Sequence, residues 1–231
     1  MGIKSRKKNQ RTSYLIARSE PKSPISEQYR TIRTNIQFSS FEKETKTIMV
    51  TSPGPSEGKS TTAANLAIVF AQQGKKVLLV DADLRKPAVH YMFNIVNSIG
   101  LTNVLANRME LSNVIFTTGD RYLHLLTSGP IPPNPSELLA SNTMEELMKE
   151  MQERYDVVII DTPPLLTVSD AQIVANICEG SILVLSSGKT EIEHSIKAKE
   201  LLSSANSSLL GVVLNNKKMK KNKLYRYYGK P

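Results

Sequence analysis

The sequence predicts an α/β domain built on a mostly parallel sheet with helices on both faces. Two observations carry the prediction: short apolar runs suited to strands buried on both faces, and helical patterns between them. The predicted strands are 47–51, 77–80, 123–127, 157–160, 181–186 and 209–214. Helices with apolar residues at i, i+3 and i+4 are predicted at 26–38, 60–73, 136–153, 169–178 and 191–205. Strand and helix alternate from the first strand onward, as in doubly wound folds.

Length and composition exclude several classes of protein. The chain of 231 residues is long enough for one independently folded domain. A single cysteine excludes an internal disulfide framework and a cysteine-only zinc site. The longest apolar runs, such as 157–160, are far shorter than the roughly 20 residues of a membrane helix, so a cytoplasmic location is expected.

The excess of positive charge lies in the two ends of the chain. Residues 1–11 and 217–231 contain basic residues and no acidic ones, and they account for more than the whole net charge of +9. The sequence therefore divides into a basic segment, 1–22, a folded domain, 23–216, and a flexible basic tail rich in tyrosine, 217–231. Basic tails suit an anionic membrane surface, an acidic groove of a partner or plain solvation, and they do not predict nucleic-acid binding.

A phosphate-binding loop follows the first predicted strand. Gly58-Lys59-Ser60 opens a helix, so backbone N–H groups, a lysine ammonium and a hydroxyl meet at its N-terminus. The strict pattern requires glycine where Pro53 stands, although Gly54 is adjacent. The candidate nucleotide-binding residues of this segment are Gly54, Ser56, Glu57, Gly58, Lys59, Ser60 and Thr61.

Three aspartates follow two predicted strands. Asp81 and Asp83 end the second strand, and Asp161 ends the strand at 157–160. The carboxyl ends of parallel strands meet at one edge of a sheet, so these carboxylates should converge beside the phosphate loop. Carboxylates beside a triphosphate require a cation, and Mg²⁺ fits, with Ser60 as a further ligand. The alternative is that each aspartate caps a helix or a solvated turn.

Together these motifs resemble the Walker A, A′ and B motifs of the bacterial tyrosine kinases, which share the P-loop NTPase fold of MinD and ParA ATPases. The resemblance extends to Glu27, Arg30 and Arg33 in an E-x-x-R-x-x-R element, and to the stretches 84–87 and 128–135. It ends in a tyrosine cluster formed by Tyr225, Tyr227 and Tyr228. The sequence is most similar to the stand-alone kinases of Gram-positive capsule and exopolysaccharide operons.

The resemblance implies an ATP- and Mg²⁺-dependent protein-tyrosine kinase that autophosphorylates the tail tyrosines and regulates polysaccharide synthesis and export. Lys59 would hold the phosphates, and Asp161 would contact the metal ion. Asp81 or Asp83 would be the base that accepts the proton, with Asp81 favoured. Arg85 would contact phosphates or pair with a local carboxylate. Asn215 would contact adenine or simply end a strand in a turn.

The resemblance also implies partners. They are a membrane-embedded activator of the polysaccharide co-polymerase type, a tyrosine phosphatase, protein substrates and further copies of the chain in a ring, for which an octamer is one size. The activator would recruit the kinase to the inner face of the cell membrane. Glu27, Arg30 and Arg33 would join subunits, or would form only a local ion pair on an exposed helix.

Two other functions compete with the kinase. A MinD- or ParA-type positioning ATPase would carry a second lysine early in the loop, where this chain has Gly54. A membrane-surface adaptor that binds nucleotide without catalysis would not need the set formed by Lys59, Asp81, Asp83 and Asp161. Gly54 argues against the positioning ATPase, and the presence of the catalytic set argues against the adaptor, so both observations favour the kinase.

Overall fold

A seven-stranded sheet forms the centre of the computed structural model, which describes residues 15–39 and 44–218. The strands are β1 (Thr47–Thr51), β2 (Val77–Asp81), β3 (Ile115–Thr117), β4 (Leu123–Leu126), β5 (Val157–Asp161), β6 (Gly180–Ser186) and β7 (Ser208–Asn215). Their order across the sheet is β3-β4-β2-β5-β1-β6-β7. All neighbouring strands are parallel except β3 and β4. The predicted mostly parallel sheet is confirmed.

Nine α-helices occur in the described part of the chain. They are α1 (Ile16–Ser19), α2 (Pro24–Ser39), α3 (Lys59–Ala71), α4 (Val89–Phe93), α5 (Leu101–Leu105), α6 (Pro135–Leu139), α7 (Asn142–Arg154), α8 (Asp170–Ile177) and α9 (Ile192–Ser203). A short 3₁₀ turn, Leu111–Asn113, precedes β3. Among the described residues, no helix is both long enough and apolar enough to cross a membrane.

All predicted elements except one are present within two residues of their predicted ends, and the short elements α1, α4, α5 and β3 have no counterpart in the prediction. The predicted helix 136–153 is two helices, α6 and α7, because Ser141 stops the first and caps the second. Its Oγ accepts a hydrogen bond from Met144 N, the typical contact of an N-cap serine. Strand β3 has no counterpart in the prediction, since only three residues at the sheet edge pair there, none of them fully buried.

The core has two layers, one on each face of the sheet. Alternate strand residues point to opposite faces: Met49 and Leu78 pack with α7, α8 and α9, whereas Ile48 and Leu79 pack with α2 and α3. This two-sided burial explains why the strands read as continuous apolar runs instead of alternating ones. Helix α3 is buried almost all round, so the residues at its N-terminus are held rigidly.

The core also reaches towards the N-terminus. Leu15 and Ala17 are buried, and Ala17 N donates to Asn65 Oδ1 of α3 at 2.9 Å. Gln72 Nε2 donates to Ala17 O at 2.8 Å, so the middle of α3 and the residue that follows its C-terminus hold this segment. The division into 1–22, 23–216 and 217–231 stays a prediction, and this packing favours an earlier start of the folded domain.

Candidate active site

The carboxyl ends of three neighbouring central strands form the site. Strand β1 leads through residues 52–58 into α3, while β2 and β5 each end in an aspartate. Asp81 and Asp161 are directly paired in the parallel register of β2 and β5. The fold therefore brings together the loop and the carboxylates that the sequence places far apart.

The phosphate loop depends on unusual backbone angles at two residues. Gly58, the residue before α3, has φ of +96°, and a Cβ there would lie 2.0 Å from Asn215 Nδ2. Ser56 also adopts the left-handed region, with φ of +59°. Position 58 requires a positive φ and leaves no room for a Cβ beside Asn215. Only glycine satisfies both requirements. Left-handed residues in a loop of this kind form concave surfaces lined by N–H groups, which bind anions.

Lys59 extends its ammonium among the carboxylates. Its Nζ lies 2.9 Å from Asp83 Oδ2, 3.2 Å from Ser60 Oγ and 3.6 Å from Asp161 Oδ1. Burial by itself would lower the pKa of Lys59, but the charges of Asp161 and Asp83 outweigh it and raise the pKa above the usual range. Lys59 is therefore a charged, buried lysine at the N-terminus of α3.

Asp81 is tied to the backbone on both oxygens. Its Oδ2 accepts from Ala88 N at 3.1 Å and from Val89 N at 3.0 Å, and its Oδ1 accepts from Asp83 N at 3.3 Å. Burial, followed by the charge of Asp161, raises the pKa of Asp81 to about 8. Asp81 thus orients the start of α4 and, at neutral pH, takes up a proton far more readily than an ordinary aspartate.

Asp161 is the carboxylate with unused hydrogen-bonding capacity. Its side chain is fully buried, and neither oxygen has a hydrogen-bond partner among the described residues. Burial raises the pKa of Asp161, although the charge of Lys59 opposes the shift. A buried carboxylate that no hydrogen bond satisfies is costly, so its oxygens fit a bound cation beside Ser60.

A magnesium ion suits this arrangement better than a metal held by protein alone. Among the described residues, no group of three or more histidine, cysteine, aspartate or glutamate side chains is arranged to hold a metal ion. Mg²⁺ is usually bound through one or two carboxylates together with phosphates and water. The residues present therefore fit Mg²⁺ in the company of a nucleotide.

Arg85 pairs with a local carboxylate. Its Nε and Nη2 donate to the two oxygens of Asp170, at 2.8 and 2.9 Å, and Nη2 also donates to Ser136 Oγ. Ser136 Oγ in turn donates to Asp170 Oδ1 at 2.7 Å. Of the two predicted roles for Arg85, this geometry supports the local pair. Asp170 and Ser136 carry no motif that would have identified them from the sequence.

Asn215 and Glu57 hold the loop itself. Asn215 Nδ2 donates to Glu57 O at 2.9 Å, so this amide contacts the phosphate loop from the end of β7. The Glu57 side chain is buried, and burial raises its pKa. Ser52 Oγ donates to Gly54 O at 2.7 Å within the loop, and Thr61 lies half-buried in the first turn of α3. All the loop residues predicted from the sequence therefore lie at one place.

The predicted subunit-contact residues lie on α2, which packs on α3. Arg30 Nη1 is 2.8 Å from Glu27 Oε2, and Arg30 Nη2 donates to Pro21 O. Arg33 Nη1 donates to Val69 O near the C-terminus of α3. The local ion pair between Arg30 and Glu27 is present, and the role of this helix in joining subunits stays a prediction. Tyr225, Tyr227 and Tyr228 lie outside the described residues.

The comparisons with known proteins agree with this geometry. A sequence model of the AAA domain matches residues 45–190. Tyrosine-protein kinase YwqD of Bacillus subtilis (strain 168) is 55% identical over 229 residues, which cover 99% of this chain and 97% of that protein. The solved structure of the chimerical protein CapA2B2 is 45% identical, with a TM-score of 0.86 over 90% of this chain and 91% of that one.

The MinD-type fold is a more distant relative. MinD of Pyrococcus horikoshii OT3, solved with Mg-ADP, is 26% identical, with a TM-score of 0.64 over 73% of this chain and 69% of that one. The predicted P-loop fold is confirmed, and the kinase interpretation is confirmed over the positioning ATPase. The domain is a nucleotide-binding one, and the chain belongs to the bacterial tyrosine kinases.

Proposed function

We propose that this protein transfers the γ-phosphoryl group of ATP to tyrosine, in its own tail and in protein substrates, with Mg²⁺ as cofactor. The observation that carries the proposal is the charged Lys59 surrounded by Asp81, Asp83 and Asp161 at the end of the phosphate loop. This set has the features that phosphoryl transfer requires: a cation for the phosphates, carboxylates for a metal and a proton acceptor.

Lys59 and the loop would hold the nucleotide. On binding, the Lys59 ammonium exchanges part of its contact with Asp83 for phosphate oxygens, while N–H groups of the loop and α3 contact the remaining oxygens. Ser60 and Asp161 would hold Mg²⁺, with Asp81 and Asp83 facing it directly or through water. When bound, the metal neutralises charge on the phosphates and on the carboxylates around them.

An aspartate would accept the phenolic proton. The phenol of tyrosine has a pKa near ~10 and is protonated at neutral pH. As its oxygen bonds to phosphorus and ADP leaves, the proton must pass to a nearby base. Asp81 is the favoured acceptor, with Asp83 the alternative, and a cation bound beside them would hold the accepting carboxylate in its ionised form.

We also infer the biological setting from the family. The kinase would regulate capsular or exopolysaccharide synthesis and export, activated by a cytoplasmic segment of a membrane-embedded co-polymerase protein at the inner face of the membrane. A tyrosine phosphatase would reverse its action. The similarity to the chimerical protein CapA2B2 supports such a partner. Nucleic acid is no expected partner, because the basic residues are concentrated in the ends of the chain.

Autophosphorylation tests the proposed function. The full chain, incubated with Mg-ATP with and without a candidate activator peptide, should acquire phosphotyrosine on the tail, seen by mass spectrometry. Changing Tyr225, Tyr227 and Tyr228 to phenylalanine should remove most of the label while leaving nucleotide binding unchanged. Wild-type chain without phosphotyrosine under both conditions would contradict the kinase. Label persisting in the triple variant would place the acceptors elsewhere.

The assembly proposal predicts a loss of mass when Arg30 becomes alanine. The ring should dissociate to smaller species in size exclusion with light scattering, because the substitution removes a guanidinium from the proposed contact. Arg33→Ala is a poorer probe, since Arg33 binds Val69 O of the buried helix α3, whereas the carbonyl of Pro21 that Arg30 binds is exposed. Lys22→Ala, at an exposed position before α2, is the matched control. An unchanged mass for Arg30→Ala would leave Arg30 with its local ion pair alone.

A further inference from the structure

Side chains at the ends of β6 and β7 form hydrogen bonds to the outer side of the phosphate loop. Lys189, in the turn between β6 and α9, donates from Nζ to Pro55 O at 2.6 Å and to Ser56 O at 3.2 Å. Asn215 donates to the next carbonyl, Glu57 O. Three consecutive carbonyls of the loop are therefore held by side chains from the ends of β6 and β7.

The turn that carries Lys189 is itself firmly built. Lys189 N and Thr190 N donate to Ser186 O, at 3.0 and 2.9 Å, and Ser186 N donates to Thr190 Oγ1 at 2.7 Å. Ser187 N donates to Asn215 O, which joins the turn to the end of β7. Thr190 also forms a hydrogen bond with the Glu57 carboxyl group. Lys189 thus projects from a rigid base towards the loop.

Holding the carbonyls matters because a phosphate is bound by the N–H groups on the other side of the same peptide units. A carbonyl rotated towards a triphosphate would repel it, and N–H groups oriented beforehand bind it without further reorganisation. Ser56 adopts a left-handed conformation that a non-glycine residue avoids without support from its surroundings. The ammonium of Lys189 supplies such support by bonding to the carbonyl of Ser56 itself.

We propose that Lys189 is a positioning residue for nucleotide binding, which orients the phosphate loop through the carbonyls of Pro55 and Ser56. The proposal rests on the proposed function in so far as the nucleotide is the substrate of the kinase. Lys189 acts through the loop and not on the nucleoside. Its loss should therefore weaken the binding of every ligand that presents a polyphosphate to the loop.

Binding measurements on the full chain test the proposal without requiring turnover. Affinities for Mg-ATP, and for inorganic tripolyphosphate with Mg²⁺ in competition with a fluorescent ATP analogue, would be compared in wild type, Lys189→Met and Lys189→Arg. Lys189→Met should bind both ligands about 10-fold more weakly, the lower end of the effect of a charged hydrogen bond. Lys189→Arg should stay within about 3-fold of wild type, because a guanidinium can also donate to two carbonyls. Lys197→Met, an exposed lysine of α9, is the control.

The outcomes separate the possible roles of Lys189. Equal weakening for both ligands, with thermal unfolding of the nucleotide-free protein unchanged, supports positioning. Weaker binding of ATP alone would place Lys189 against the nucleoside and would overturn the proposal. Unchanged binding of both ligands would also overturn it. If Lys189→Met does not fold, Lys189→Gln replaces it. In phosphotyrosine assays the defect should appear in KM for ATP, with kcat within about 2-fold. Absence of phosphotyrosine in wild type would overturn the kinase and leave this binding test intact.

Discussion

Replacing Lys59 with methionine should reduce phosphotyrosine formation by about 10³-fold, because the variant loses the cation that holds the transferring phosphates. The same change should lower the free energy of unfolding by about 3 kcal/mol, since it leaves Asp83 and Asp161 buried without their cation. A lysine that served the phosphates alone would leave stability unchanged. Phosphotyrosine assays and urea unfolding of the nucleotide-free protein measure the two effects.

A double variant separates the stability effect from the catalytic one. Lys59→Met combined with Asp83→Asn removes one positive and one negative charge, so much of the lost stability should return. Activity should not return, because no cation is restored to the phosphates. Wild-type rates in Lys59→Met would remove Lys59 from the mechanism. An unfolding free energy equal to that of wild type would show that its contacts with the carboxylates contribute nothing to stability.

Asp161→Asn should have opposite effects on activity and on stability. Activity should fall by about 10²-fold or more, because an amide oxygen is a poorer ligand for Mg²⁺ than a carboxylate. The nucleotide-free protein should be as stable as wild type or about 1 kcal/mol more stable, since a neutral amide is less costly to bury than a carboxylate without hydrogen bonds, and Lys59 keeps its pair with Asp83. Unfolding and turnover measured on the same preparation test both statements.

The pH dependence of unfolding tests the same residue. Burial raises the pKa of Asp161 in the folded protein, so the folded state binds more protons than the unfolded chain above pH ~4. The contribution of Asp161 to wild-type stability should therefore decrease as pH rises above that point, and Asp161→Asn should remove this contribution. Glu146→Gln also replaces a carboxylate by an amide, at an exposed residue of α7, and should leave the curve unaltered. A destabilised Asp161→Asn would show that the carboxylate is satisfied without a ligand.

Local features of the sequence were sufficient for most of the fold. Strands β1 and β5 are buried on both faces, so their apolar character is continuous and independent of the partner strand. The three-residue strand β3 escaped prediction because its pairing with β4 depends on tertiary contact. The break between α6 and α7 escaped it because the apolar periodicity continues through Ser141.

The candidate site also has a part that the sequence predicts and a part that depends on tertiary contacts. Gly58-Lys59-Ser60, Asp81 and Asp161 were identifiable because each stands at the end of a strand or the start of a helix, where parallel topology alone makes them converge. The pairing of Arg85 with Asp170 joins residues separated by 85 positions, and the contact of Lys189 with Pro55 joins residues separated by 134. No local spacing encodes such pairs.

The sequence by itself thus determined the type of sheet, the phosphate loop and the chemistry collected around it, because these follow from short-range patterns and strand order. Only the tertiary structure decided how each charge is satisfied. It showed that Asp81 is held by backbone N–H groups, that Asp161 has no hydrogen-bond partner among the described residues and that Lys189 grips the loop from outside. The physical reason is that burial and hydrogen bonding are properties of neighbours in space, which lie far apart along the chain.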